Sequence, residues 1–392
     1  MAHTRNRHLS GLLKKAAGFW PVIGLLGPRQ SGKSTLLREI HGFGKYISFD
    51  DEDVLSDAQA SAKNFLQKLP RPLIIDEAQK EPRIFDAVKY IVDREKRPGS
   101  YFLTGSSQFS SKIGIRESLT GRIGIHYLYP MTLAEADKLD FEVERASANH
   151  QKPPRISVES MFTRFHSGGM PVPLFTRDES LVTAYYQSWI ETSVLRDAQR
   201  VYGRGYNPDV AFSILSQLAA ALKDGEYAGL KNFKQTSRVV RAYLSAFEEI
   251  FMIHKIPAHE DSVGGDVWTF FDTGVLSYFA KGVIGDGLQL SFARILTINE
   301  ILAVCEYSGK RLRPSYYKTA RGSPIDLIWG DSLVKISNAK QSQVDYDLRP
   351  LRAAMSKLKL ETGYLLWGAD KSEVDAKYPD SAIRIEPWTR YS

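Results

Sequence analysis

The stretch Gly27-Pro28-Arg29-Gln30-Ser31-Gly32-Lys33-Ser34-Thr35 constrains this chain more than any other. It spells G-x-x-x-x-G-K-[ST] between an apolar run, Val22–Leu26, and a helical pattern, Ser34–His41. Strand, glycine-rich loop and helix in that order build a phosphate cradle. Gly27 and Gly32 permit backbone conformations and a close approach that a side chain would block. The loop amides and the helix N-terminus then face an anion. Lys33 is expected to reach the β- and γ-phosphates, and the Ser34 hydroxyl to coordinate Mg²⁺. The expected ligands are therefore ATP and Mg²⁺, held by Gly27, Pro28, Arg29, Gln30, Ser31, Gly32, Lys33, Ser34 and Thr35. The alternative is a chance glycine-rich turn, against which strand, Lys-Ser pair and helix argue together.

Around this loop, apolar runs alternate with helical patterns, as in a βαβ architecture. The runs Val22–Leu26, Tyr46–Phe49, Leu73–Ile75, Tyr101–Leu103 and Ile123–Leu128 read as strands. Ser34–His41, Asp57–Lys68, Arg83–Glu95 and a short segment near Ile113–Leu119 read as helices. The expected fold is α/β, a three-layer P-loop NTPase domain with a parallel sheet buried on both faces.

Leu73-Ile74-Ile75 ends in two acids, as a Walker B strand does. Asp76 is the candidate second Mg²⁺ ligand, and Glu77 the candidate base for the attacking water. Two solvated acids at a strand end are the alternative. The Asp-Glu pair also places an extra strand between the two motifs, for which Tyr46–Phe49 is the candidate. Tyr101–Leu103 runs into Thr104-Gly105-Ser106-Ser107, where Ser106 or Thr104 is a candidate γ-phosphate sensor; an ordinary Ser/Gly turn explains either residue as well. Arg122 and Arg116 are candidate arginine fingers or sensors, with a solvated arginine as the alternative. Asp50 and Asp51 are weaker candidates for metal or substrate support.

A length of 392 residues predicts two or three domains, and 43% hydrophobic with 25% charged residues fits globular cores. The single cysteine, Cys305, excludes a disulfide within the chain and a Cys-rich metal site. The eight histidines show no H-E-x-x-H spacing. No run reaches the ~18 apolar residues of a membrane span, and no apolar stretch follows the basic N-terminus. The expectation is a cytoplasmic protein without membrane contact. The net charge of +7 favours an acidic partner only slightly.

Asp140–Arg155 is polar and carries Pro153-Pro154, as a linker does. A mainly helical stretch follows over Ser157–Pro257, with apolar residues at helical spacing in Asp209–Leu222 and Gln235–Ile253. Strand-like runs return at Val267–Phe271, Tyr316–Lys318, Ile325–Trp329, Ser332–Ser337 and Thr362–Trp367, with helices at Ala293–Glu306 and Leu348–Leu358. The implied division is 1–140, 156–285 and 286–392.

GPRQSGKST, YISFDDED, LIIDEAQ, YFLTGSSQF and SLTGRIGIHYLYPMTLAE together resemble a large group of prokaryotic AAA-type ATPases with a C-terminal domain of unknown function. VVRAYLSAFEEIF, TFFDTGVL and NEIL extend the resemblance over most of the chain. It implies an ATPase core, then a helical winged-helix region, then an α/β part similar to PD-(D/E)-x-K nucleases. By that resemblance Lys231–Glu249 holds a helix-turn-helix, and Gln235, Ser237, Arg238 and Arg241 stand where a DNA groove could be met; packing within the protein is the equal alternative. The nuclease pattern implies Glu300, Asp326 and a following Glu-x-Lys around Mg²⁺. Lys335 stands where that acid should be and Ser337 where the lysine should be. A cation beside Asp326 would repel Mg²⁺, so the nuclease-like part is expected to be inactive.

Three functions follow. One is an ATP-driven switch acting on DNA or RNA through the C-terminal half. Another is a regulatory or defence ATPase with a protein partner. The third is an ATP-dependent nuclease. A trans-acting finger would require a homo-oligomer; a monomeric switch would not.

Overall fold

The computed structural model describes residues 5–40, 44–108, 119–140, 164–281, 285–310, 313–321, 323–338, 344–367 and 382–388. Contacts divide the chain into two compact units where the sequence suggested three segments: Met1–Met131 with Glu249–Phe251, and Thr132–Glu248 with Met252–Ser392. Asp140–Arg155 beyond its first residue, Arg116, and nearly all of Ile113–Leu119 lie outside the described residues.

The first unit is built on five parallel strands: β1 (Val22–Leu26), β2 (Lys45–Ser48), β3 (Leu73–Asp76), β4 (Tyr101–Gly105) and β5 (Ile123–Tyr127). Their order in the sheet is β2-β3-β4-β1-β5. β1, β3 and β4 are buried along their whole length, as continuous apolar runs require in a sheet covered on both faces. Full burial of one such Leu, Ile or Phe contributes about 1.5–3 kcal/mol. The strand between the two motif strands is β4, whereas β2, the run expected to be inserted there, forms the edge.

Helices α1 (Leu9–Ala17), α2 (Lys33–Ile40), α3 (Glu52–Ala60), α4 (Ala62–Gln67) and α5 (Arg83–Glu95) complete the unit. The single helix expected over Asp57–Lys68 is two. Ser61 is extended between them and caps α4 through Asn64 N–H, while Asp51 caps α3 through Asp53 and Val54 N–H. Two side-chain caps within one polar stretch start two helices. The apolar faces of α3, α4 and α5 join the core beside β3 and β4.

The second unit begins with helices. α6 (Glu179–Thr192) starts at the cap Asp178 and continues into a π-helical turn, Ser193–Ala198. α7 (Pro208–Lys223) starts at the cap Asn207 with Pro208 in its first turn. α8 (Ser237–Glu249) ends four residues before the helix expected over Gln235–Ile253. The remainder turns into β6 (Ile253–Ile256), which pairs antiparallel with β7 (Val267–Phe270). The stretch expected to stay helical to Pro257 thus ends in a hairpin strand, because β-branched Ile253 and Ile256 pack on β7. Asp272 then caps α9 (Thr273–Ala280).

α10 (Asp286–Tyr307) is long and apolar enough to cross a membrane by length and composition, but 78% of its apolar window is buried within the fold. Ser291, Asn299 and Arg294 bind from it to Leu222 O, Phe271 O and Gly225 O at 2.5–2.6 Å. The helical part and the final sheet therefore share a core, which is why the break expected near residue 286 is not a boundary between units. The sheet runs β12-β11-β10-β9-β8, from β8 (Ser315–Lys318), β9 (Pro324–Trp329), β10 (Ser332–Ser337), β11 (Thr362–Trp367) and β12 (Ile383–Pro387). β8, β9 and β10 form an antiparallel meander. After α11 (Val344–Leu358), β11 and β12 add in parallel.

Candidate active site

Because all five strands of the first unit are parallel, their C-terminal ends share one edge of the sheet. There β1 delivers Gly27, β3 delivers Asp76 and Glu77, and β4 delivers Thr104 and Ser106. Ligands of open α/β sheets bind at this edge. Each of the five segments is short, yet the topology alone brings three of the sequence's candidate elements together.

The loop after β1 is tightly boxed. A Cβ on Gly27 (φ +157°) would lie 2.4 Å from Leu128 O, so only glycine lets the two backbones pass. Gln30 and Gly32 take φ of 62° and 97°, turning successive amides in one direction. The Lys33 ammonium donates to its own loop, to Gly27 O at 3.0 Å and Pro28 O at 2.9 Å. Ser31 is fully buried and its hydroxyl has no partner among the described residues. Arg29 is half-buried, while Gln30 and Thr35 are exposed.

Asp76 is the hub of the site. Its Oδ2 accepts from Ser34 Oγ at 2.8 Å and from Tyr46 Oη at 2.6 Å, and its Oδ1 accepts from the Thr104 hydroxyl. Burial pushes the Asp76 carboxyl up, but the hydroxyls of Thr104, Tyr46 and Ser34 and the charge of Lys33 outweigh it and hold the group below its ordinary value. An ionised carboxylate beside a serine hydroxyl is a donor set suited to a hard divalent cation. Ser34 and Asp76 are the residues that would hold Mg²⁺. Thr104, one of the two sensor candidates, is thus committed to Asp76.

Glu77 sits next door in a left-handed conformation (φ 53°, ψ 41°), which costs a non-glycine residue about 1–3 kcal/mol. The turn aims its carboxylate at β4 and the following 3₁₀ turn. Ser106 Oγ donates to Glu77 Oε2 at 3.0 Å, and Gln79 Nε2 donates to the same oxygen at 2.5 Å. Both donors reach one oxygen, Oε2. Asp50 pairs with Lys80 at 2.5 Å, and Asp51 serves as the cap of α3.

Arg122 is not brought to this edge. It precedes β5 and is level with Val22, so it lies at the opposite end of the strands, roughly 16 Å of strand length away. Its guanidinium is bound to Asp93, and that contact raises its pKa further.

Four residues escaped the sequence reading. Tyr46 and Gln79 sit inside stretches quoted for other reasons, and only the pairing of β2 with β3 and the 3₁₀ turn after Glu77 give them a role. Lys80 is known only through its pair with Asp50. Arg7 had no signal at all: it is buried and donates to Ser31 O at 2.8 Å and Tyr129 O at 2.7 Å, anchoring the phosphate loop from the N-terminal segment.

In the second unit the expected nuclease residues are each engaged by other partners. Asp326 is fully buried and accepts from Arg294 Nε at 2.6 Å, Tyr227 Oη at 2.7 Å and Ile336 N–H at 2.6 Å. The cation neutralising it is Arg294, not Lys335 as expected. Lys335 donates to Pro324 O at 3.2 Å and pairs with Asp347 at 3.5 Å, where the Ser337 hydroxyl also binds. Glu300 accepts from Leu133 N–H at 2.8 Å. Among the expected helix-turn-helix residues, Gln235 is tied to Gln217 and Ser213 of α7, while Ser237, Arg238 and Arg241 are exposed along α8. Among the described residues, His259, Glu260 and Asp261 bring three ligand atoms within 4.8 Å on a turn, a grouping outside the H-E-x-x-H pattern.

Residues 20–136 match the family model described as AAA domain. The N-terminal part of the chain is thus a P-loop AAA-type domain of α/β fold. Uncharacterized proteins of Mycobacterium bovis and Mycobacterium tuberculosis are each 25% identical over 263 residues, 66% of this chain and 54% of theirs. The chain therefore spans about half the length of the curated relatives it matches. Among solved structures, a Walker-type ATPase of Pyrococcus abyssi covers 71% of this chain and 99% of its own at 15% identity and TM-score 0.44. AMPPCP-bound DnaA from Aquifex aeolicus covers 62% and 86% at 12% identity and TM-score 0.31.

Proposed function

We propose that the chain binds ATP at the Gly27–Thr35 loop, hydrolyses it to ADP and phosphate, and acts as a nucleotide-driven switch on nucleic acid. One observation carries the ATPase reading. The loop's Ser34 is bonded to Asp76 at 2.8 Å while Glu77, on the next residue, turns its carboxylate toward Ser106. Cradle, metal ligands and base stand at one sheet edge.

Lys33 leaves the carbonyls of Gly27 and Pro28 for the β- and γ-phosphates, exchanging two neutral acceptors for charged ones. Ser34 and Asp76 would hold Mg²⁺, which would supply charge neutralisation. Glu77 Oε1 takes a proton from the water that attacks the γ-phosphorus, and the bond to the ADP oxygen breaks. Ser106 and Gln79 hold Oε2, keeping the free oxygen directed. Arg122 takes no part in its own domain's site in this reading.

The nucleic-acid half rests on the exposed Ser237, Arg238 and Arg241 of α8, the one α-helix within Lys231–Glu249, where a 3₁₀ turn, Leu230–Asn232, stands in place of a first helix; α7 before it and the β6–β7 hairpin after it support a winged-helix reading. The meander-helix-strand order after α10 supports a nuclease-like fold. The saturation of Asp326 by Arg294, Tyr227 and Ile336 argues against cleavage.

Steady-state ATPase activity with double-stranded DNA, single-stranded DNA and RNA tests this, with Lys33→Ala as the blank. Activity above the blank and stimulation by one nucleic acid are expected. A rate unmoved by all three points to a protein partner, and a rate equal to the blank removes hydrolysis.

A further inference from the structure

A cleft of about 560 Å³ opens within the second unit, between the turn after α7, the start of β7 and the sheet strands β8 and β9. Its size lies in the range of small-molecule sites. Tyr227, Trp268 and Tyr316 give it an aromatic wall. Lys231, Arg241 and Lys318 line it from three different elements, and none of their cationic groups forms an ion pair among the described residues. Of the acids at the cleft, Asp266 is paired with Lys255 at 2.8 Å and also feels the charge of Arg241 without a direct ion pair, and Glu226 is exposed. The balance is an excess of positive charge around an apolar, ring-lined hollow.

The cleft's floor is rigid. Tyr227, held by Asp326, lies under the Arg294 guanidinium at 4.4 Å and against Tyr316 at 4.9 Å between ring centres. Arg294 also binds Gly225 O, fixing the turn that forms one lip. On the opposite lip, Gly265 has open space where a Cβ would stand, so its backbone is accessible.

We propose that this cleft binds a nucleoside phosphate, with Lys231, Arg241 and Lys318 on the phosphate and the aromatic wall against the base. Unpaired cations on separate elements fit a group that carries charge on several oxygens. Tyr227, Trp268 and Tyr316 are nearly buried, so they offer a flat base an apolar wall rather than a free stacking face. The nucleoside phosphate reaches the cleft either free or as an unstacked residue of a single strand. The proposal rests on the nucleic-acid half of the reading above and is independent of ATP hydrolysis.

The test uses the full chain carrying Lys33→Ala, which silences the phosphate loop. Binding of fluorescein-labelled oligothymidylate is followed by anisotropy, and binding of thymidine monophosphate by calorimetry. At least one is expected to bind. Lys231→Ala/Arg241→Ala/Lys318→Ala, all at partly or fully exposed positions, should weaken it tenfold or more. For the oligonucleotide it should also flatten the salt slope by about 2, at ~0.7 per lost single-strand contact. Binding of the oligonucleotide alone assigns the cleft to a strand, and of the monophosphate to a free nucleotide. Binding of neither overturns the proposal. So does oligonucleotide binding that survives the triple variant but is lost with Arg238→Ala, which would leave the α8 face as the nucleic-acid surface. Loss of ATPase activity in the wild-type chain would sink only the hydrolysis reading.

Discussion

Tyr46, on the edge strand, donates its phenolic proton to Asp76 Oδ2 across 2.6 Å. The bond occupies the carboxylate oxygen that Ser34 also reaches. Burial and the bond to Asp76 both raise the phenol's pKa, and Arg38 stacks on the ring at 3.8 Å, so the tyrosine is a fixed neutral donor. With Asp76 as the proposed Mg²⁺ ligand, Tyr46 would compete with the cation for it. Tyr46→Phe is expected to lower the magnesium concentration for half-maximal ATPase activity about fivefold, the worth of one hydrogen bond of about 1 kcal/mol. A raised requirement would mean that Tyr46 orients Asp76 rather than competing for it.

Gln79 should act on turnover and not on nucleotide affinity. It touches only the Glu77–Ser106 pair and none of the loop that meets phosphate. Gln79→Leu is expected to lower kcat about tenfold with KM for ATP unchanged, because the base loses one of its two supports. Glu77→Gln should lower kcat by ~10²–10⁴ and keep ATP bound. Equal kcat for Gln79→Leu and wild type would remove the positioning role.

Much of the first unit was legible because its signals are local. The loop Gly27–Ser34 fixes its own geometry, and Leu73–Asp76 is an apolar run with an acid at its end. What no local pattern records is pairing. The placement of β4 between β1 and β3 decides that Thr104 binds Asp76 while Ser106 binds Glu77. The register of β5 decides that Arg122 lies at the far end. In the second unit, the nuclease resemblance points to Asp326 as a strand acid, but its cation, Arg294, sits 32 residues earlier on a helix whose apolar pattern hides a charge. Long-range ion pairs of this kind leave no periodicity to read.

His254 makes the second unit sensitive to acid. Its ring is bonded to Asn299 Oδ1 at 3.0 Å, and burial pushes its pKa down to about 4. In the unfolded chain a histidine titrates near 6.5. Between these values the unfolded state holds more protons, so stability falls as pH drops from about 6.5 to about 4. The residue as a whole is half-buried, and the loss is about 1–3 kcal/mol. Urea midpoints of wild type and His254→Gln at pH 7 and pH 4.5 check this. The variant should lose less stability on acidification, and equal losses would assign the acid sensitivity elsewhere.

Arg294 and Asp326 form a buried pair whose members depend on each other. Both are almost fully buried, and Tyr227 and the Ile336 amide complete the set of donors around the carboxylate. Arg294→Met leaves Asp326 with two neutral donors and no counter-charge, so it is expected to destabilise the fold by about 3–5 kcal/mol. Adding Asp326→Leu removes the stranded charge, and the double variant should recover most of the loss even though it carries two substitutions, because the pair's attraction only offsets its own desolvation. A double-mutant cycle from urea unfolding measures the coupling. The same variants ask whether the pair conceals a metal site: Arg294→Met frees the carboxylate, and a magnesium-dependent gain in its melting temperature would show that the arginine stands where a cation can bind. Additive losses with no response to magnesium would mark Arg294 and Asp326 as separate packing residues.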